Sequence, residues 1–188
     1  SFVVDNCEFY NNNASMNVIF VCNINNSDAS RFPYIKNSKF YNNTVSNGCV
    51  IQFDGENSKI DNCLINDNTA FTAIKYYNGA IGHTLNNSTI ANTSNFGVYI
   101  QAPHQNVILN IENTILWGNH YIPAHSFPFN SSQIGYELNS YPINLTRDYC
   151  IIQGGSQTIH LGSGSNFLFT DNYGANNLDV DPDFNADY

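Results

Sequence analysis

Fifteen carboxylates and six cations are the ionisable stock of this 188-residue chain, and their placement limits its chemistry. Elimination on a uronate needs a base for the proton next to the sugar carboxylate and a cation or Ca²⁺ to neutralise that carboxylate. The cations Arg31, Lys36, Lys39, Lys59, Lys75 and Arg147 are dispersed. His83, His104, His120, His125 and His160 are scattered too. His120 and His125 lie five apart in a proline-interrupted stretch, poor geometry for a shared metal, so loop-packing or solvent-facing roles are expected for the histidines. Asp179, Asp181 and Asp183 alternate around Val180 and Pro182, which puts three carboxylates on one side of an extended segment. They are the candidates for Ca²⁺, with solvation of an outgoing strand as the competing reading. Five cysteines include no zinc-like spacing, and Cys22 with Cys49 is the pair left for a disulfide.

Aromatic side chains offer uncharged chemistry. Tyr41, Trp117, Tyr121, Phe127 and Tyr136 are the candidate binding residues, because rings stack on sugar faces without needing charge. Three of them fall in a long aromatic and proline-rich insertion, roughly 120–144; a shorter polar insertion spans 23–33. The long insertion reads either as a platform for sugar rings or as a cover folded over the flank of the protein.

A repeated motif must position these groups. Asn6-Cys7-Glu8-Phe9 recurs from Asn37, Asn62, Asn87 and Asn113, and in degraded form from Tyr149, at steps of 31, 25, 25, 26 and 36 residues. A near-fixed period of this size denotes stacked repeats. Relative to the Asn, apolar or small residues fall at −2, +1 and +3, so the strand alternation slips by one at the Asn itself. Such a slip is a corner, and Asn enters left-handed backbone cheaply. A second corner column is expected at +6, through Asn12, Asn43, Asn68, Thr93, Asn119 and Gly155. No helical periodicity competes. The fold expected is all-β: a right-handed parallel β-helix solenoid with coils of about 25 residues, residues 1–188 forming one segment with the two insertions. Lys39 and Lys59 then point outward, away from any evident carboxylate cluster. The outward columns of the first strand after the corner run Glu8, Lys39, Leu64, Thr89, Ile115, Ile151 and Tyr10, Tyr41, Asn66, Ala91, Trp117, Gln153.

Composition agrees: hydrophobic residues make 42% and charged residues only 11%, enough apolar material for a continuous core. The 33 asparagines exceed what the corners use, and at stacked corners their amides can bond up and down as ladders. The net charge of −9 disfavours nucleic acid and anionic membrane as partners. No apolar run is long enough to span a bilayer. Eight Asn-x-Ser/Thr sequons, from Asn13, Asn25, Asn42, Asn86, Asn87, Asn92, Asn130 and Asn144, are largely what this composition yields by chance. The chain opens at Ser1 in mid-repeat and stops after Asp-Pro-Asp-Phe, so a fragment is expected, with further coils or domains on the same polypeptide.

The runs Asn113-Thr-Ile-Leu-Trp-Gly-Asn119, Tyr149-Cys-Ile-Ile-Gln-Gly-Gly155 and Asn177-Leu-Asp-Val-Asp-Pro-Asp-Phe184 resemble the last coils of secreted bacterial parallel β-helix proteins of the pectin-lyase-like superfamily. Members that are similar include type IX secretion substrates and polymorphic outer-membrane adhesins. The resemblance implies a secreted or cell-surface protein for display and binding of a glycan or surface partner, without a required cofactor. It also implies the alternative of a polysaccharide lyase or glycoside hydrolase, since such coils carry both. The Arg-x-Pro-x-x-Arg of pectate lyases, the catalytic blocks of polygalacturonases and the Tyr-Gly-Phe-Asp-Pro-His of alginate epimerases are absent.

Overall fold

The structure is a computed structural model that describes residues 2–23, 32–119, 133–137, 141–161 and 168–184. It is all-β, and every strand pairing is parallel. The first sheet orders β1 (Val3–Asp5), β5 (Tyr34–Lys36), β9 (Asn57–Asp61), β12 (Gly79–Asn86), β15 (Val107–Glu112), β18 (Ile143–Asp148) and β21 (Phe169–Tyr173). The second orders β2 (Glu8–Tyr10), β6 (Lys39–Tyr41), β10 (Leu64–Asn66), β13 (Thr89–Ala91), β16 (Ile115–Trp117) and β19 (Ile151–Ile152). The third orders β4 (Asn17–Asn23), β8 (Cys49–Gly55), β11 (Thr72–Tyr77), β14 (Phe96–Gln101), β17 (Ile134–Glu137) and β20 (Ile159–Leu161). A short pair, β3 (Asn13–Ala14) with β7 (Thr44–Val45), sits between the second and third sheets in chain order. The chain thus visits first, second and third sheet in turn, and each visit pairs with the visit one repeat later.

The corner after the first sheet forms as the motif predicts. Asn6, Asn37, Asn62, Asn87 and Asn113 have φ of 50 to 53°, and the degraded copy, Tyr149, has φ 54°. At Tyr149 a bulky residue occupies a conformation that favours Asn or Gly, with its N–H donating to Asp148 Oδ1 at 3.0 Å. On the exposed side of this corner the amides form a ladder: Asn37 Nδ2 donates to Asp5 Oδ1 at 2.8 Å, Asn62 Nδ2 to Asn37 Oδ1 at 2.8 Å and Asn87 Nδ2 to Asp61 Oδ1 at 2.7 Å.

The inward columns are also as expected. Val4, Ile35, Ile60, Leu85 and Ile111 follow one another in register, each at most 8% exposed. Phe9, Phe40, Ile65, Ile90, Leu116 and Ile152 are likewise in register in the second sheet, Phe9 half-buried and the others fully buried, with Phe9 and Phe40 stacked at 4.7 Å. Burying such a side chain stabilises by about 1.5–3 kcal/mol. Small residues at +1 are required because their hydroxyl or thiol turns back on the corner: Ser38, Ser88 and Thr114 donate to the carbonyls of Lys36, Asn86 and Glu112 at 2.7, 2.6 and 2.8 Å. Ser38 and Ser88 Oγ also accept the N–H of Cys7 and Cys63 one repeat earlier, both at 3.1 Å.

Three expectations need correction. The second corner lies at +5: Asn11, Asn42, Asp67, Asn92 and Gly118 carry the positive φ, and only in the last copy do Gly154 and Gly155 both have it. The +6 residues point inward. Asn43, Asn68, Thr93 and Asn119 are at most 2% exposed, and Asn12 Nδ2 donates to Asn43 Oδ1 at 2.8 Å and Asn43 Nδ2 to Asn68 Oδ1 at 2.9 Å. Second, Cys22 and Cys49 are free thiols. Cys22 stands opposite Asp54, while Cys49 stands opposite Asn17, so the two lie five residues out of register, and burial pushes the Cys49 thiol up to about 12. Third, His83 is neither solvent-facing nor in a loop; it is fully buried on β12.

Candidate functional site

The outward face of the second sheet carries the columns expected from the motif. Tyr10, Tyr41, Asn66, Ala91 and Trp117 are successive partners across β2, β6, β10, β13 and β16. Tyr10 and Tyr41 stack at 5.2 Å with 6° between planes, and the Tyr41 hydroxyl donates to Glu8 Oε2 at 3.3 Å. Desolvation, then the Glu8 charge, raises the Tyr41 phenol. Tyr10 is 51% exposed, Tyr41 and Trp117 partly so. Three strand spacings, about 14 Å, separate Tyr41 from Trp117. The structure therefore gives one aromatic ladder at the β2–β6 end and one indole farther along the same column.

The other candidates do not join them. Tyr136 lies on β17 of the third sheet, 6% exposed and stacked on Phe169 at 4.0 Å, where it packs the core. Tyr121 and Phe127 lie outside the described residues, as does most of both insertions. Asp179 Oδ1 accepts the Gly154 N–H at 2.8 Å and Asp181 Oδ1 accepts the Asp183 N–H at 2.9 Å, so two of the three carboxylates serve the local backbone. Among the described residues no three acidic, histidine or cysteine side chains converge on a point that would hold a metal ion.

Four of the five described cations are paired with acids, which the sequence did not reveal. Lys36 meets Asp5 at 3.2 Å, Lys39 meets Glu8 at 3.3 Å, and Lys59 meets Asp61 at 3.4 Å. Burial alone would raise the Asp61 carboxyl, yet hydrogen bonds from Asn87 and Tyr34 and the charge of Lys59 hold it below its ordinary value. Among the described residues Lys75 has no carboxylate within ion-pair range; its ammonium sits 5.1 Å from the Tyr77 ring centroid. Arg147 pairs with Asp171 through both Nη2 and Nε, with its guanidinium 4.6 Å from the Tyr173 ring.

Sequence reasoning missed the third sheet as a chemical surface. Its outward side presents Gln52, Asp54, Lys75, Tyr77, Tyr99, Gln101 and Glu137. Gln101 Nε2 donates to Glu137 Oε2 at 2.9 Å, and desolvation raises the Tyr99 phenol. At the edge of this side a groove of about 490 Å³ is lined by Asp54, Glu56, Tyr77, Asn78, His104 and Gln105. The His104 N–H donates to Asn78 Oδ1 at 3.1 Å, which ties one wall of the groove to its floor. The signal available in sequence was the alternation in Ile51-Gln52-Phe53-Asp54 and Ile74-Lys75-Tyr76-Tyr77, which marks two half-buried strands.

Inside the molecule the structure also brings together Ser58 and His83. His83 Nε2 lies 2.7 Å from the Asn78 carbonyl oxygen, which can only accept, so Nε2 carries the proton. Nδ1 therefore accepts from the Ser58 hydroxyl at 2.8 Å. Both side chains face the core, and burial lowers the imidazole to about 4. A serine and histidine so placed are out of reach of substrate; the pair satisfies a buried polar residue. Gly79 is needed beside it, since a Cβ there would come within 1.9 Å of His83 Nε2.

Among the described residues no helix is long and apolar enough to cross a membrane. Compared with known proteins, the chain matches no protein family, no curated protein and no solved structure.

Proposed function

We propose that this chain is a segment of a right-handed parallel β-helix on a secreted or cell-surface protein, and that it displays outward faces for binding a glycan or surface partner. The cyclic visiting of three parallel sheets, each strand pairing with its counterpart about one repeat later, supports the solenoid. The resemblance of its last coils to pectin-lyase-like surface proteins supports the location. The observation that carries binding over catalysis is the matching of four of the five described cations to carboxylates: Lys36, Lys39, Lys59 and Arg147 each already face one acid, which leaves Lys75 alone among them without such a partner. The stacked Tyr10 and Tyr41 with Trp117 remain as uncharged contacts for sugar rings.

The test is to incubate the purified chain with a polysaccharide panel, with and without Ca²⁺, following unsaturated-product absorbance, reducing ends and binding heat. Binding without turnover is expected, weakened by Tyr41→Ala and Trp117→Ala. One observation favours a second reading, that of a polysaccharide lyase or hydrolase: two carboxylates and an imidazole, from Asp54, Glu56 and His104, line one groove beside Tyr77. Turnover abolished by Asp54→Asn or Glu56→Gln would establish that reading instead.

A further inference from the structure

Three successive turns, at residues 45–47, 69–71 and 94–95, form a groove of about 430 Å³ whose lining includes Ser46, Asn47, Thr69, Phe71, Ser94 and Asn95. Among the described residues, none of the groups lining it is ionisable, on a chain of net charge −9. Its walls are fixed by the backbone: Val45 N–H donates to the Thr69 carbonyl at 2.7 Å, Phe71 N–H to that of Gly48 at 3.0 Å and Ser94 N–H to that of Asn68 at 3.0 Å. The Ser94 hydroxyl is spent on Ala70, accepting its N–H at 3.0 Å and donating to its carbonyl at 3.1 Å. Ser46, Asn47 and Thr69 are exposed.

One side chain of this groove is held ready for a ligand. Phe71 is 39% exposed, and its ring is fixed by edge contacts with Phe96 at 5.6 Å and Tyr99 at 5.0 Å. A ring fixed before a ligand arrives loses little entropy on binding.

We propose that this groove is a subsite for a neutral oligosaccharide. The C–H face of a hexose ring stacks on Phe71, and its hydroxyls reach the exposed Ser46, Asn47 and Thr69. With no cation in the lining and a strongly acidic chain around it, the groove rejects uronates. The inference rests on the reading of the chain as a glycan-binding scaffold, and it places a contact on the turns beyond the second sheet instead of on that sheet's outward face.

The experiment is isothermal titration calorimetry of the whole chain with three probes: cellohexaose, mannohexaose and hexagalacturonate. At least one neutral hexamer should bind. Phe71→Ala should weaken it by about tenfold. Ser46→Glu, a charge placed on an exposed turn where folding is unaffected, should weaken it at least as much, and circular dichroism checks both variants. Lys59→Ala, on the first sheet and outside the groove, should leave this affinity within about twofold. Neutral binding that survives Phe71→Ala and Ser46→Glu but is lost with Trp117→Ala overturns this groove and leaves the glycan reading standing. Binding of hexagalacturonate alone does the same. Absence of heat with every glycan of the wider panel removes both.

Discussion

Two neighbouring inward columns of the first sheet hold polar islands that solve burial in opposite ways. Ser58, His83, Leu109, Leu145 and Asp171 are consecutive partners in one, and Ile60, Leu85, Ile111, Arg147 and Tyr173 in the other. In the middle of the sheet the interior accepts His83 by keeping it neutral, with each ring nitrogen matched to one partner of the right kind. Near the β21 edge it accepts the permanently charged Arg147 by supplying a carboxylate and an aromatic face; even so Arg147 Nη1 has no hydrogen-bond partner among the described residues. A titratable group can adapt its charge to the site, whereas a permanent charge obliges the site to adapt.

If that contrast is right, the largest effect comes from removing the partner of the permanent charge. Asp171→Ala should destabilise by about 3 kcal/mol or more, read by chemical denaturation, because the guanidinium remains buried without its counterion. Arg147→Leu with Asp171→Leu should recover most of that loss; a double variant as unstable as the single one would show that the ion pair itself, not the stranded charge, holds this edge.

The neutral island should instead respond to pH. The unfolded chain takes up a proton on His83 near pH 6.5, the folded chain only near about 4. In that window the unfolded state binds more protons, so stability falls as pH drops from 6.5 toward 4 and is indifferent to this group above 6.5. The loss is on the order of 3 kcal/mol in full. It should appear as a slope in urea midpoints that a His83→Leu variant lacks; equal slopes would mean that His83 is not held neutral.

Smaller effects sharpen the difference between interior and rim. Asn62→Ala should cost about 1 kcal/mol, from a left-handed residue without Asn's tolerance and from one lost ladder bond. Lys39→Ala, which breaks an exposed pair with Glu8, should change stability by less than about 0.5 kcal/mol. Thermal denaturation of the two variants side by side should rank them in that order.

The corners after the first sheet were legible because one parity slip recurred six times, and Tyr149 obeys it although its residue type does not announce it. The second corner was misplaced by one residue for a physical reason. Asn11-Asn12 and Asn42-Asn43 offer two residues of equal aptitude, and asparagine serves as well in a buried ladder as in a left-handed turn. Gly118 preceding Asn119 held the clue, since glycine enters a positive φ more readily than asparagine. The Ser58–His83 contact went unread because the inward column was followed only to −2, although both residues lie four before their motif Asn. Lys36 with Asp5 and Lys39 with Glu8 occupy the same outward places in adjacent repeats, so these contacts depend on how the repeats pair, whereas Lys59 and Asp61 are two apart on one strand. The aromatic column of Tyr41 and Trp117 was read correctly as a column. The inward turn of Tyr136 was missed because its strand, Ile134–Glu137, lies within the stretch read as the long insertion, where the repeat could not be counted.

The two asparagine ladders carry one more consequence. In the buried one each amide donates toward the later repeat, Asn12 to Asn43 and Asn43 to Asn68. In the exposed one each donates toward the earlier repeat, Asn37 to Asp5 and Asn62 to Asn37. Amide dipoles aligned head to tail in a single column would add up along the stack, leaving partial charges of opposite sign at its two ends. Two columns of opposite sense cancel much of that field, so the number of repeats can grow without building up an electrostatic polarity from one end to the other.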